Sequence, residues 1–171
     1  MLDKRLKILF STAGVLIAGG LLAILIVATS ADKTDQSGAA KMVLETNNFD
    51  FGDVSMANGK VTKIINIKNE GDADLEISKL VTSCMCTTAA LEVDGKKSPA
   101  FGMANGHGGA SGPLNMSIPP GKSGVLELIF DPNAHGPDAV GPIKRTITLT
   151  SNNGGDKGSQ NIISFEGNVI K

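Results

Sequence analysis

Both cysteines of the chain lie one residue apart, in the segment Ser83-Cys84-Met85-Cys86-Thr87. Two thiols this close form a disulfide, bind a soft metal ion or pack as small buried side chains. In an extended strand, Cys84 and Cys86 would point to the same face, about 6.5–7 Å apart. A disulfide needs Cβ atoms about 3.8 Å apart, so closing the pair demands a sharp bend. These three interpretations stay open. In the first of them, thiol–disulfide redox chemistry would need Cys84 and Cys86 alone.

A metal site would need more ligands than two cysteines, and two glycine-flanked loops offer them. Met103 and His107 lie four residues apart in one loop, and His135 lies in the other. Thiolate, thioether and imidazole groups are donors that copper(I) or zinc accepts. We therefore predict a candidate metal site of Cys84, Cys86, Met103, His107 and His135, with the thiols reduced. If these side chains are structural, the histidines hydrogen-bond the loop backbone and Met103 fills a gap in the core.

The elements that position these side chains can be predicted from the apolar pattern of the chain. Short apolar runs recur roughly every ten residues and are separated by turn signals. Apolar and polar residues alternate in 61–67, 125–130 and 143–149, as in strands with one buried face. Asn58-Gly59 is a hairpin signal. The pattern predicts about six to eight short strands in an all-β, antiparallel β-sandwich.

The segment 98–114 interrupts this pattern with five glycines between positions 102 and 112. So many glycines exclude a regular strand or helix. A loop of this length is usually functional or disordered. It contains two of the candidate metal ligands.

Residues 8–29 form a run of 22 without a charged side chain, long enough to cross a bilayer as a helix. Residues 1–7 carry one acidic and three basic side chains, which predicts a cytoplasmic N-terminus. We expect a transmembrane anchor at 8–29, a polar tether at 30–41 and one outer domain at 42–171. A cleaved signal peptide is the alternative, but its apolar region usually spans only about 7–15 residues.

The charge and composition of the chain exclude several functions. It has 17 acidic and 16 basic residues, and without residues 1–29 the balance is 16 to 13. A nucleic-acid-binding protein would need a basic face, so we expect no nucleic-acid partner. The absence of Trp and Tyr also removes the usual stacking platforms for bases. No Gly-x-Ser-x-Gly elbow or distinct carboxylate pair is present, which argues against an enzyme.

The order of short motifs along the chain resembles the bacterial family catalogued as domain of unknown function 1573. The resemblance covers residues 43–169, and Met85 stands where the family usually has glycine, between the two cysteines. The motifs are Phe49-Asp50-Phe51-Gly52-Asp53-Val54, Ile67-Lys68-Asn69-Glu70-Gly71, Ser83-Cys84-Met85-Cys86-Thr87, Pro120-Gly121-Lys122-Ser123, Phe130-Asp131-Pro132 and Glu166-Gly167-Asn168-Val169.

This resemblance implies an immunoglobulin-like β-sandwich of about seven strands, related to the Hydin and major-sperm-protein modules. It also implies a surface location, here on a single-pass anchor in the bacterial cytoplasmic membrane. It implies no established activity. We therefore expect a non-enzymatic, extracytoplasmic module that contacts an unidentified protein or organises the envelope, with metal binding and thiol redox chemistry as the alternatives.

Overall fold

The alternation of apolar and polar residues produces ten β-strands in the part of the chain that the computed structural model describes, residues 38–171. One turn of 3-10 helix at Met56–Asn58 joins the second and third strands. The strands are β1 (Met42–Leu44), β2 (Asn48–Ser55), β3 (Val61–Asn69), β4 (Leu75–Thr82), β5 (Thr87–Val93), β6 (Lys96–Lys97), β7 (Met116–Ile118), β8 (Ser123–Phe130), β9 (Gly141–Ser151) and β10 (Ser159–Ile170).

The strands form two five-stranded sheets, in the orders β1-β3-β8-β5-β6 and β2-β10-β9-β4-β7. All pairings are antiparallel except that between β2 and β10, which is parallel. The all-β sandwich is therefore confirmed. The structure has ten strands where about seven were expected, and seven of the ten are at least seven residues long. The other three, β1, β6 and β7, contain only two or three residues and are too short to show a period.

The buried faces of the two sheets share one apolar core. Phe165 is fully buried in it, and the rings of Phe49, Phe51 and Phe130 lie 5.4–5.8 Å from the Phe165 ring, centroid to centroid. Aromatic contacts of this kind add to the stabilisation that burial provides. The core thus fixes both sheets, and the loops at the ends of the strands project from a rigid base.

An irregularity in β4 decides which of its residues face the core. Pairing with β9 shifts between Ile77 and Lys79, so the buried positions change from Leu75 and Ile77 to Leu80 and Thr82. A bulge of this kind re-aims the side chains that follow it. It turns Thr82, the last residue of β4, inward beneath the cysteine segment.

The predicted hairpin at Asn58-Gly59 is wrong. β2 and β3 belong to different sheets, and the segment between them crosses from one sheet to the other. Gly59 has φ +75° and ends the 3-10 turn, so its backbone freedom serves a crossing connection rather than a hairpin. The sequence signal marks a tight turn but not the sheet in which the next strand lies.

The predicted cytoplasmic flank, the transmembrane anchor at 8–29 and the tether up to residue 37 lie outside the described residues. Within residues 38–171, no helix is long and apolar enough to cross a membrane. The last residues of the predicted tether pack on the domain. Ala40 is 2% exposed, and the amide of Lys41 donates a hydrogen bond to Oδ1 of the buried Asn69 at 3.2 Å.

Candidate functional site: the cysteine turn

The segment from Cys84 to Cys86 is a tight turn that leads from β4 in one sheet to β5 in the other. The amide of Thr87 donates to the carbonyl oxygen of Cys84 at 3.1 Å, which closes the turn. The hydroxyl of the buried Thr82 lies 3.0 Å from the carbonyl oxygens of Cys84 and Thr87 and holds the turn from beneath. The bend that a disulfide requires is therefore supplied by the crossing between the sheets.

The turn brings the two sulfur atoms together. The Cα atoms of Cys84 and Cys86 are 5.2 Å apart, within the usual range for a disulfide, and the two Sγ atoms lie at bonding distance. Cys84 is 9% exposed and Cys86 is 2% exposed, whereas Met85 between them is 41% exposed. The third sulfur thus points away from the pair, toward solvent.

His135 reaches the turn from the loop between β8 and β9. The amide of Asp131, at the start of this loop, donates to the carbonyl oxygen of Cys86 at 2.8 Å. Asn133 binds the Asp131 carboxylate through its amide at 2.9 Å and the carbonyl oxygen of Met56 through its side chain at 3.0 Å. This bracing places Nε2 of His135 3.1 Å from Sγ of Cys84.

The two Sγ atoms and a ring nitrogen of His135 all lie within 4.8 Å of one another. His135 is exposed, so the cluster opens to solvent on the histidine side. Two thiolates and one imidazole suit a soft ion such as copper(I), and zinc would need a fourth ligand. As a closed disulfide, the sulfur atoms offer no thiolate ligands. The same three side chains thus support either redox chemistry or metal binding, according to the state of the thiols.

The other two predicted ligands lie in the glycine-rich loop, which does not bring His107 into this cluster. Hydrogen bonds within the loop backbone fix it, including one from the amide of Met103 to the carbonyl oxygen of His107 at 2.9 Å. His107 is exposed and Met103 half-buried. The loop still touches the turn, because a Cβ atom on Gly108 would lie 2.5 Å from the carbonyl oxygen of Met85. The loop therefore covers the backbone of the turn.

Arg145 is the site residue that the sequence pattern did not single out. It lies on β9, and its Nε donates a hydrogen bond to Sγ of Cys86 at 3.4 Å. Ile143, Ile147 and Leu149 alternate on the core-facing side of β9, and Arg145 occupies the same side. A charged residue at an apolar position of a strand was the signal. Within residues 38–171 no carboxylate pairs with Arg145; one of its terminal nitrogens donates to the carbonyl oxygen of Lys144 at 2.8 Å, and Nε contacts the sulfur.

Comparison with known families places the cysteine turn in a recognised segment. Residues 42–99 match the model of the DUF1573 family, described as "Protein of unknown function (DUF1573)". The resemblance read from the motifs is confirmed for these residues, and the motifs from Pro120 onward lie outside the match. The match includes both cysteines of the turn, while His135 and Arg145 lie beyond it. No curated protein sequence matches the chain.

Solved structures with a similar fold extend the comparison beyond these residues. A protein of unknown function from Porphyromonas gingivalis W83 superimposes with a TM-score of 0.56 at 17% identity, covering 81% of this chain and 51% of that one. A family 123 glycoside hydrolase from Clostridium perfringens gives 0.51 at 8% identity, covering 78% and 27%. The PapD-like domain 7 of human CEP192 gives 0.48 at 10% identity, covering 78% and 87%.

The chain spans about half the length of the Porphyromonas protein and about a quarter of the hydrolase. At these identities the likeness concerns the β-sandwich fold alone. The likeness carries no chemistry over to this domain.

Proposed function

We propose that Cys84 and Cys86 form a reversible dithiol–disulfide couple at the end of a non-enzymatic β-sandwich. The observation that carries this proposal is the crossing turn, which holds the two Sγ atoms at bonding distance. Residues 8–29 would hold the domain at the outer face of the bacterial cytoplasmic membrane, where disulfides persist.

The position of the disulfide supports a chemical role over a structural one. It links residues only two positions apart, within one turn, and joins no two strands. In the chain-entropy model, a closed loop of three residues contributes about 1.6 kcal/mol, roughly half of what a 15-residue loop contributes. Reduction of this disulfide would therefore lower the free energy of unfolding only slightly.

The surroundings of the sulfur atoms also support reversibility. The guanidinium of Arg145 faces Sγ of Cys86, and His135 faces Sγ of Cys84. A positive charge beside a cysteine stabilises the thiolate, which is the reactive form in thiol–disulfide exchange. In the reduced state, at least one of the two thiolates would therefore be stabilised by a neighbouring side chain.

The exchange partner fits the expectation of a protein-interaction module. The turn connects two strands at one end of the sandwich, and both Met85 and His135 are exposed there. We propose that the partner is a protein that carries a cysteine thiol or a disulfide and docks on these loops. The two electrons come from or go to that partner, so the domain needs no cofactor for this step.

Thiol counting on the full chain in detergent micelles tests the couple, because Cys84 and Cys86 are its only cysteines. We expect no free thiols after oxidation by glutathione disulfide, two after reduction, and a return to none on re-oxidation, with the protein monomeric throughout. Cys84→Ser and Cys86→Ser serve as controls that keep one free thiol. Two thiols that stay free, or that form only intermolecular disulfides, would overturn the proposal.

Metal binding by the reduced form is a second candidate, favoured by the three ligand atoms within 4.8 Å. Cys84, Cys86 and His135 would be the ligands and copper(I) the ion. Because this site needs both thiols free, the disulfide and the metal would exclude each other.

A further inference from the structure

The two sulfur atoms of the couple have different surroundings, and the geometry points to a fixed direction of exchange. We infer that an incoming thiolate attacks Sγ of Cys84 and that Cys86 leaves as the thiolate. This inference rests on the proposed redox function and deepens it, because it names the sulfur that forms the mixed disulfide with a partner.

Access favours Cys84 as the sulfur attacked. Cys84 is 9% exposed against 2% for Cys86. An attacking sulfur approaches along the S–S axis, on the side away from the leaving sulfur. On the Cys84 side this approach is bordered by His135, which is exposed and lies on a surface loop. On the Cys86 side it is bordered by Arg145, on the core-facing side of β9.

Charge favours Cys86 as the leaving sulfur. The Nε atom of Arg145 is 3.4 Å from Sγ of Cys86, and the hydroxyl of Thr87 lies 3.7 Å from the same sulfur. A thiolate at Cys84 would be less stabilised. Its Sγ accepts a hydrogen bond from the amide of Cys86 at 3.3 Å and faces an imidazole. Either thiolate would accept charge-assisted hydrogen bonds, but only that of Cys86 faces a permanent cation, which adds a direct attraction between opposite charges. The negative charge is therefore better placed on Cys86.

The exchange balances without any other reactant. The thiolate of a partner forms a bond to Sγ of Cys84, the bond between the two cysteines breaks, and its electron pair passes to Sγ of Cys86. A second thiolate from the partner then attacks the partner's own sulfur in the mixed disulfide. Cys84 leaves as a thiolate and the partner keeps a disulfide, so two electrons have moved to the domain.

Mass spectrometry of the trapped intermediate tests this direction. The oxidised full chain in detergent micelles is mixed with limiting glutathione, quenched with acid and alkylated, and the two cysteines are distinguished by fragmentation of the peptide between Lys79 and Lys97. We expect glutathione on Cys84 and the alkyl group on Cys86, with at least roughly tenfold more adduct on Cys84. Adduct mainly on Cys86, or equal on both, would overturn the direction but leave the couple in place. No adduct and no reduction would overturn the proposed function itself.

Variants of Arg145 separate a positioning role from a structural one. We expect Arg145→Met to slow reduction by glutathione about tenfold and to lower the preference for Cys84, because the leaving thiolate loses its cation. Arg145→Lys should recover part of both effects. Urea unfolding of the oxidised variants controls for folding. If Arg145→Met keeps the rate and the preference of the unchanged chain, the role of Arg145 is refuted.

Discussion

Sγ of Cys84 lies 3.1 Å from Nε2 of His135, although the two residues are 51 positions apart. The contact forms because the β4–β5 turn and the β8–β9 loop both cross between the sheets at the same end of the sandwich. The hydrogen bond from Asp131 to the carbonyl oxygen of Cys86 ties the two connections together. The redox couple and the candidate metal site consequently share the same sulfur atoms.

Copper(I) binding should therefore depend on the redox state and on His135. We expect the reduced chain to bind one copper(I) ion and the oxidised chain to bind none. His135→Ala should weaken binding about tenfold or more, since one of three ligands is lost and a factor of ten corresponds to only about 1.4 kcal/mol. Competition with a chromophoric copper(I) chelator measures the affinity.

His107→Ala and Met103→Leu are the matched controls for this titration. Both residues lie in the glycine-rich loop, and His107 is outside the cluster of ligand atoms. We expect both variants to bind copper(I) as the unchanged chain does. Equal losses in His107→Ala and His135→Ala would contradict the three-ligand site.

Reduction of the Cys84–Cys86 disulfide should change stability only slightly. The loop that it closes contains three residues, so the expected loss in the free energy of unfolding is about 1.6 kcal/mol. Urea unfolding of the oxidised and reduced chain, followed by circular dichroism, measures the difference. A loss above about 3 kcal/mol would mean that the disulfide is a structural cross-link rather than a switchable couple.

The sequence pattern predicted the long strands because their period is local. Alternation along β8 and β9 survives in the structure with the apolar residues inward. The sequence pattern also placed both histidines in loops. It could not show that His135 contacts the cysteines and His107 does not, because this depends on which loops meet at one end of the sandwich.

The role of Arg145 could not be predicted from the sequence either. It interrupts the apolar face of β9 between Ile143 and Ile147, which a period-based interpretation treats as noise. Its meaning appears only when β5 and β9, which belong to different sheets, bring Cys86 and Arg145 together. The charge at an apolar position is visible in the sequence, but its partner is set by packing of the whole core and cannot be read from a short window of sequence.

Gly108 should tolerate substitution less well than Gly106, although both lie in the same loop. Their φ values are +82° and +83°, so alanine meets the same backbone strain at each. A Cβ at Gly108 would lie 2.5 Å from the carbonyl oxygen of Met85, while at Gly106 the nearest atom is 3.4 Å away. We expect Gly108→Ala to lower the free energy of unfolding by about 1–3 kcal/mol more than Gly106→Ala does.

Urea unfolding of both glycine variants measures this difference, and the rate of reduction by glutathione gives a second readout. Because Gly108 packs on the backbone of the cysteine turn, Gly108→Ala should also speed reduction of the disulfide, with Gly106→Ala unchanged. If the two variants lose the same stability and react at the same rate, the loop does not cover the turn.

Acid should destabilise the domain partly through Glu45 and Glu70, two exposed carboxylates with different partners. The backbone amide of Asn66 and then its side chain lower the pKa of Glu45. Hydrogen bonds from Lys68 and Lys41 lower the pKa of Glu70. A carboxylate with a lowered pKa in the folded state stabilises the fold above its unfolded pKa, and this is lost as pH falls through the folded value.

We therefore expect the free energy of unfolding to decrease as pH falls below about 4.5, and both Glu45→Gln and Glu70→Gln to flatten that decrease. Salt should change the pKa of Glu70 more than that of Glu45, because lysine charges dominate at Glu70, whereas at Glu45 the neutral donors of Asn66 come first and the charge of Lys63 last. Carboxyl titrations by NMR at low and high salt measure this. A salt-dependent pKa at Glu45 that matches the change at Glu70 would contradict the assignment of Asn66 as its main partner.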